Sequence, residues 1–190
     1  MLAVFERSIS KTPIELSLPG LGTDRFNMSP EEIAELFGAW KSDSTFYHVR
    51  NSNFLALSNV DEYYPRSIVV MDDIYCMFCG ALDNISELRQ YYGLSKKAGE
   101  ATIIVEAYKV LRDRAPPGQV VADLQGSFGF ILFDRRDSIL YIASDRDARV
   151  ELYWGVATDG SLVCADDHNV ISACCGNACM TFPRGKPQAP

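Results

Sequence analysis

The sequence predicts an α+β domain, with helices packed on the faces of largely antiparallel sheets. Short runs of β-branched and aromatic residues recur between turn signals, as strands do. Other stretches space their apolar residues at helical intervals. The strand-like and helix-like segments come in blocks rather than in strict alternation, and no internal repeat is present.

Met1 to Phe5 is apolar enough to open a buried strand. Residues 10–28 are rich in Pro, Gly and Thr and read as loop. A helix follows: Ser29 caps, Pro30 takes the first helical position and Glu32 completes a capping box. Ile33, Leu36, Phe37 and Trp40 then share one apolar face. Thr45 to Val49, Asn53 to Leu57, Ser67 to Met71 and Ile74 to Phe78 read as strands, with Asp72-Asp73 turning between the last two. Asn84 with Glu87 has the form of a second capping box, and Gly93 closes that short helix. Residues 101–112 form an amphipathic helix whose inner face is Ile104, Ala107, Tyr108 and Leu111, ended by Pro116-Pro117-Gly118. Ser127 to Phe133 and Ile139 to Ala143 flank the polar turn 134–137. Glu151 to Val156 and Ser161 to Ala165 flank the hairpin signal Asp159-Gly160.

The chain has 190 residues, enough for one well-packed domain, expected over residues 1–184 with a disordered tail at 185–190. A net charge of -7 without a Lys/Arg cluster argues against nucleic acid as a partner. No apolar run reaches the roughly 20 residues of a membrane span. Residues 1–7 lack the basic-then-apolar pattern of a secretory signal. The expected location is therefore the cytoplasm, with the nucleus as a second compartment, and the six cysteines are expected to be reduced thiols.

More specific patterns lie within these elements. Cys79-Gly80-Ala81-Leu82-Asp83-Asn84 followed by Glu87-Leu88-Arg89 resembles a segment of asparagine-synthetase-type glutaminase domains that reads Asn-Gly-Glu-Ile-Tyr-Asn and then Leu-Arg. Leu124 to Asp134 is similar to their Leu-x-Gly-x-Phe-x-Phe strand ending in Asp. Ala143-Ser144-Asp145 and Leu152-Tyr153-Trp154-Gly155 resemble two later signatures. Tyr92-Gly93-Leu94 and Leu111-Arg112-Asp113-Arg114 are similar to the two hallmarks of the plant aluminium-induced or stem-specific family, which carries YGL and LRDR motifs. The start Met1-Leu2-Ala3-Val4-Phe5 resembles that family as well. The resemblance implies the class II glutamine amidotransferase (Ntn-hydrolase) fold, a four-layer αββα sandwich.

The same resemblance implies a chemistry that the residues do not match. Active relatives attack the glutamine amide with an N-terminal cysteine whose own α-amine is the base. Position 2 here is Leu. Their oxyanion hole pairs an Asn side chain with a Gly amide. Gly80 is kept, but Cys79 stands at the Asn position and Ala81 at a Glu position. The arginine that would clamp the substrate carboxylate falls near Ala56, and Glu100 aligns with an acid that binds the substrate amine. The expectation is a non-catalytic protein with no cofactor and no metal. It would keep a vestigial pocket of Cys79, Gly80, Glu100 and Asp145 and would act as a regulatory or scaffold homodimer, with a further protein partner allowed. Stress or hormone responsiveness comes with the family.

Two alternatives stay open. One is a residual amidohydrolase using Cys79 beside Gly80. The other is a metal or redox module built on Cys76, Cys79, Cys174, Cys175 and Cys179. Cys76 and Cys79, three apart on a strand, would face opposite ways. His48 and His168 lack a nucleophile at motif spacing and read as structural or surface residues. Arg112 and Arg114 suit the negative end of a helix, or else a partner contact.

Overall fold

A strand that is apolar along its whole length has to be covered on both faces, and β1 (Leu2–Phe5) is buried throughout. The computed structural model describes residues 1–10, 12–17, 28–59, 63–112, 114 and 118–184. They fall into two units.

In the first unit β1 lies between β3 (Asn53–Leu57) and β9 (Leu162–Ala165), antiparallel to both. With β2 (Thr45–Arg50), β8 (Tyr153–Val156) and β10 (Cys179–Thr181) they make a six-stranded sheet ordered β10-β8-β9-β1-β3-β2. Helix α1 (Pro30–Trp40) starts as its sequence dictates. The Ser29 hydroxyl accepts from the Glu32 amide, and the Glu32 carboxylate accepts from the Ser29 amide. Ile33 and Phe37 pack with Phe54, Val163, and Val170 and Ile171 of α5 (His168–Cys175). Trp40 does not complete the buried face. It is 49% exposed at the last position of the helix.

In the second unit β4 (Arg66–Met71), β5 (Ile74–Leu82), β6 (Gly126–Asp134) and β7 (Ile139–Ser144) form an antiparallel sheet in that order. Asp72 and Asp73 both take positive φ, 50° and 64°, which gives the β4–β5 connection the twist of a two-residue hairpin. Helix α3 (Glu100–Leu111) packs on β5 and β4. Its Ile104, Ala107 and Tyr108 enter the core with Cys76, Phe78, Phe130 and Tyr141, and Leu111 packs at the margin.

Some expectations are corrected. Asn84 precedes α2 (Ile85–Tyr91) but makes no side-chain cap. Its amide group is used elsewhere: it donates to the Asp123 carbonyl at 2.8 Å and accepts from the Gln125 amide at 3.1 Å, holding the entry to β6. Within the span read as loop, Ile14–Ser17 form a 3-10 turn. Gly118 opens a short helix, α4 (Gly118–Ala122), rather than only ending α3. Helix α5 and strand β10 follow the last strand that the sequence signals. The expected tail at 185–190 lies outside the described residues, as do residues 18–27 of the expected loop, Asp113 and the prolines 116–117.

Candidate functional site

Antiparallel pairing sets the geometry at one end of the second sheet. Along β5, Cys79 pairs with Gly129 and Gly80 with Phe128; along β7, Ser144 pairs with Gly129. Gly80 has φ +114°, and a Cβ there would lie 2.0 Å from the Ser127 carbonyl oxygen. Only glycine fits this crossing. Its amide donates to the Pro65 carbonyl at 2.9 Å. The Gly80 amide, which the sequence resemblance set against one oxyanion donor, is therefore engaged by the backbone. Cys79 is buried within the strand.

Asp145, next after β7, is also buried. Its carboxylate accepts from the amides of Phe128 (3.1 Å), Asp147 (3.0 Å), Arg149 (3.1 Å) and Val150 (3.3 Å), while its own amide donates to the Phe128 carbonyl. It thus locks the 145–150 loop onto the start of β6. Cys79, Gly80 and Asp145 are gathered around Phe128-Gly129. Glu100 lies on a different element, α3. It is half-buried as the first residue of α3, where the helix dipole favours an acid.

Leu2 and Ala56, which the resemblance set at the nucleophile position and near the clamp position of active relatives, lie in the first unit. They are register partners in β1 and β3 and are fully buried. The Met1 ammonium pairs with Asp166 at 2.5 Å.

The hallmark motifs take on structural work. In Tyr92-Gly93-Leu94, Gly93 has φ +65°, its amide donates to the Gln90 carbonyl, and the Leu94 amide donates to that of Arg89. This is the double bond pattern of a Schellman helix end, with Leu94 returned to the same core as Leu88. In the second motif Leu111 packs against the core, and Arg112 donates to the buried Asp134 at 2.7 Å. Asp134 also accepts from the Tyr108 hydroxyl at 3.2 Å and the Arg136 amide at 3.0 Å. Arg114 is exposed, and Asp113 lies outside the described residues.

None of the six cysteines is in a disulfide. Cys76 sits in the core under α3, and burial pushes its thiol up. Burial likewise raises Cys164, Cys175 and Cys179, and Cys174 to about 12. Such thiols stay protonated at neutral pH and are poor nucleophiles and metal ligands. Among the described residues no group of three or more His, Cys, Asp and Glu is placed to hold a metal. His168 packs edge-on to Tyr153, and His48 leans on Phe54.

Sequence reasoning singled out Asp145 but passed over its neighbours. Together with Asp145, Ser144 and Arg146 line a cleft whose apolar wall comes from the α4–β6 segment and Phe128. The available signal was a Ser-Asp-Arg run at the end of a strong strand.

The profile of a family described as "Aluminium induced protein" matches residues 2–187. The chain belongs to the aluminium-induced protein family. It is 59% identical over 148 residues to the stem-specific protein TSJT1 of Nicotiana tabacum, a match that covers 75% of this chain and 99% of that one. Among solved structures it is similar to the glutamine phosphoribosylpyrophosphate amidotransferase from B. subtilis, with a TM-score of 0.52 and 14% identity over 74% of this chain. A structure titled as the allosteric regulatory enzyme of purine biosynthesis matches with a TM-score of 0.50 and 14% identity, again over 74% of this chain. The chain spans about a third of the length of these two structures, 33% of each. At this identity the likeness shows the fold, which is the amidotransferase-like αββα class. No helix among the described residues is long and apolar enough to cross a membrane.

Proposed function

We propose that this family member is a non-catalytic amidotransferase-like protein, a stress- or hormone-responsive regulatory or scaffold protein that self-associates in the cytoplasm and nucleus. The observation that carries the loss of catalysis is the state of Gly80. Its amide is bonded to Pro65, and its expected partner donor is replaced by a buried thiol at Cys79. An oxyanion hole works by donors aimed at the developing charge, and losing one such donor costs about 3–4 kcal/mol of transition-state stabilisation. Position 2 adds a fully buried Leu, whose side chain offers no nucleophile, paired with Ala56, near which a clamp would fall by spacing. Asp145 spends its carboxylate on four amides of its own loop and of β6, which suits a structural residue. Self-association fits the exposed edge of β4, which ends the second sheet and carries Val70 at its surface.

The test is glutamine hydrolysis by the purified full chain, read as glutamate release against a heat-denatured control, with light-scattering mass measured over a dilution series. The expected result is no glutamate above the control and a mass that falls on dilution from twice that of one chain. Glutamate release that survives repurification would overturn the non-catalytic reading. A single-chain mass at every concentration would overturn self-association.

A further inference from the structure

Within the second unit a cleft of about 450 Å³ opens beside the end of β7, lined by Val121, Leu124, Phe128, Ser144, Arg146 and Asp147 among others. Its volume is in the range of small-molecule sites. Two features give it chemical character. Ser144 is only 6% exposed, yet its hydroxyl has no hydrogen-bond partner. A buried hydroxyl left unsatisfied costs free energy that a bound polar atom recovers. The second feature is charge. The Asp145 carboxylate is turned inward onto backbone amides, and Asp147 has Arg149 at 3.7 Å. Arg146 is exposed and has no ion pair among the described residues. One guanidinium without an ion pair thus stands at a cleft walled by Val121, Leu124 and Phe128, and Ser144, whose buried hydroxyl has no partner, belongs to the same lining.

We propose that this cleft binds a small organic acid, with its carboxylate on Arg146, a polar atom on the Ser144 hydroxyl and an apolar body against Val121, Leu124 and Phe128. A guanidinium is matched to a carboxylate in charge and in donor geometry. The apolar wall selects for a hydrocarbon or aromatic body over a bare inorganic anion. The proposal deepens the non-catalytic reading, since it gives the retained frame a ligand, and it rests on that reading only in treating the site as a binding site.

The experiment is a titration of the ¹⁵N-labelled full chain with phenylacetate, followed by amide shifts. Phenylacetamide (same body, no charge) and acetate (charge, no body) serve as comparisons. Saturable shifts are expected at residues 124–128 and 144–147 with phenylacetate, and much weaker ones with either comparison ligand. Arg146→Gln and Ser144→Ala should each weaken binding about tenfold, the loss of one charge-assisted or well-placed hydrogen bond. Unshifted spectra of the unliganded variants will show that both still fold. The proposal fails if phenylacetate gives no saturable shift, if phenylacetamide or acetate binds as well, or if Arg146→Gln binds unchanged. Its failure is distinct from that of the non-catalytic reading: glutamate release would sink the latter and leave the shifts at 144–147 as they are.

Discussion

Replacing Arg112 should reveal whether the Leu111-Arg112-Asp113-Arg114 motif holds the fold or meets a partner. Asp134 is wholly buried, and Arg112, 20% exposed, donates to it at 2.7 Å. Removing one partner of a buried pair costs about 3–5 kcal/mol, because the other charge is left in low dielectric. Two facts reduce that figure here. Arg112 is partly solvated, and Asp134 keeps the Tyr108 hydroxyl and the Arg136 amide as donors. The expected loss for Arg112→Met is about 2–3 kcal/mol, the scale of one hydrogen bond to a charged group plus part of the desolvation penalty. In urea denaturation the midpoint should fall with little change of slope. In thermal unfolding the same loss is about 4–12 °C for a chain of this size. A double-mutant cycle with Asp134→Asn isolates the pair, and the coupling should be about 1.5–3 kcal/mol. Arg114→Ala, which alters an exposed side chain of the same motif, should stay within about 0.5 kcal/mol of the parent. An Arg112→Met variant as stable as the parent, with no coupling to Asp134, would refute the structural account and return the motif to partner contact.

Gly93→Ala isolates backbone cost in the other hallmark motif. A Cβ at Gly93 meets nothing within 4 Å, so the change should cost about 1–2 kcal/mol of conformational strain alone at φ +65°. Gly93→Asn should cost less, and urea denaturation of the two variants checks the order. Alkaline stability follows from the buried thiols and phenols. Cys174 stands near 12 when folded against its usual 9.0, and burial also raises Cys76, Cys164, Cys175, Tyr108 and Tyr141. The folded state favours their protonated forms. Their contribution is therefore complete below about pH 9 and is lost as pH rises toward the folded values. Unfolding free energy measured in steps from about pH 8 to 11 should hold up to about pH 9 and fall above it, and a profile flat to pH 11 would contradict the burial of these groups.

How far the sequence revealed the structure depended on whether the deciding interaction was local. The Ser29–Glu32 capping box, the Asp72-Asp73 turn and the apolar face of α3 were all legible, because each is decided within a few residues. Asn84 shows the limit. Its capping signature was correct in form, but its side chain is taken by a segment 39–41 residues away, which no local pattern reports. Helix α5 was missed because its run of Val, Ile, Ala and Cys carries little helical signal, and Asp167, which caps it, was not read as a start. The candidate residues Cys79, Gly80 and Asp145 did come together, since their strands pair in sequence order. Gly80's commitment to Pro65 was not legible, because it depends on how the residues before β4 run past β5.

The residues that match family signatures share one physical task, which is to fix β6 and the helices against it. At its start, Phe128 exchanges amide and carbonyl bonds with Asp145, and Gly80 lets β5 cross Ser127 closely. At its end, Asp134 anchors Arg112 and Tyr108 of the helix packed above. Gly93 turns the chain out of α2 so that Leu94 returns to that same core. A frame held this firmly does not need a catalytic centre to explain its signatures. Variants at Asp134, Arg112, Gly93 and Gly80 should therefore register as stability. The side chains of Ser144 and Arg146 border the cleft without a hydrogen bond or ion pair to the frame among the described residues, so variants there should register as binding. If Arg146→Gln cost as much stability as Arg112→Met, that division between frame and cleft would be wrong, and Arg146 would have to be counted among the residues that hold the fold.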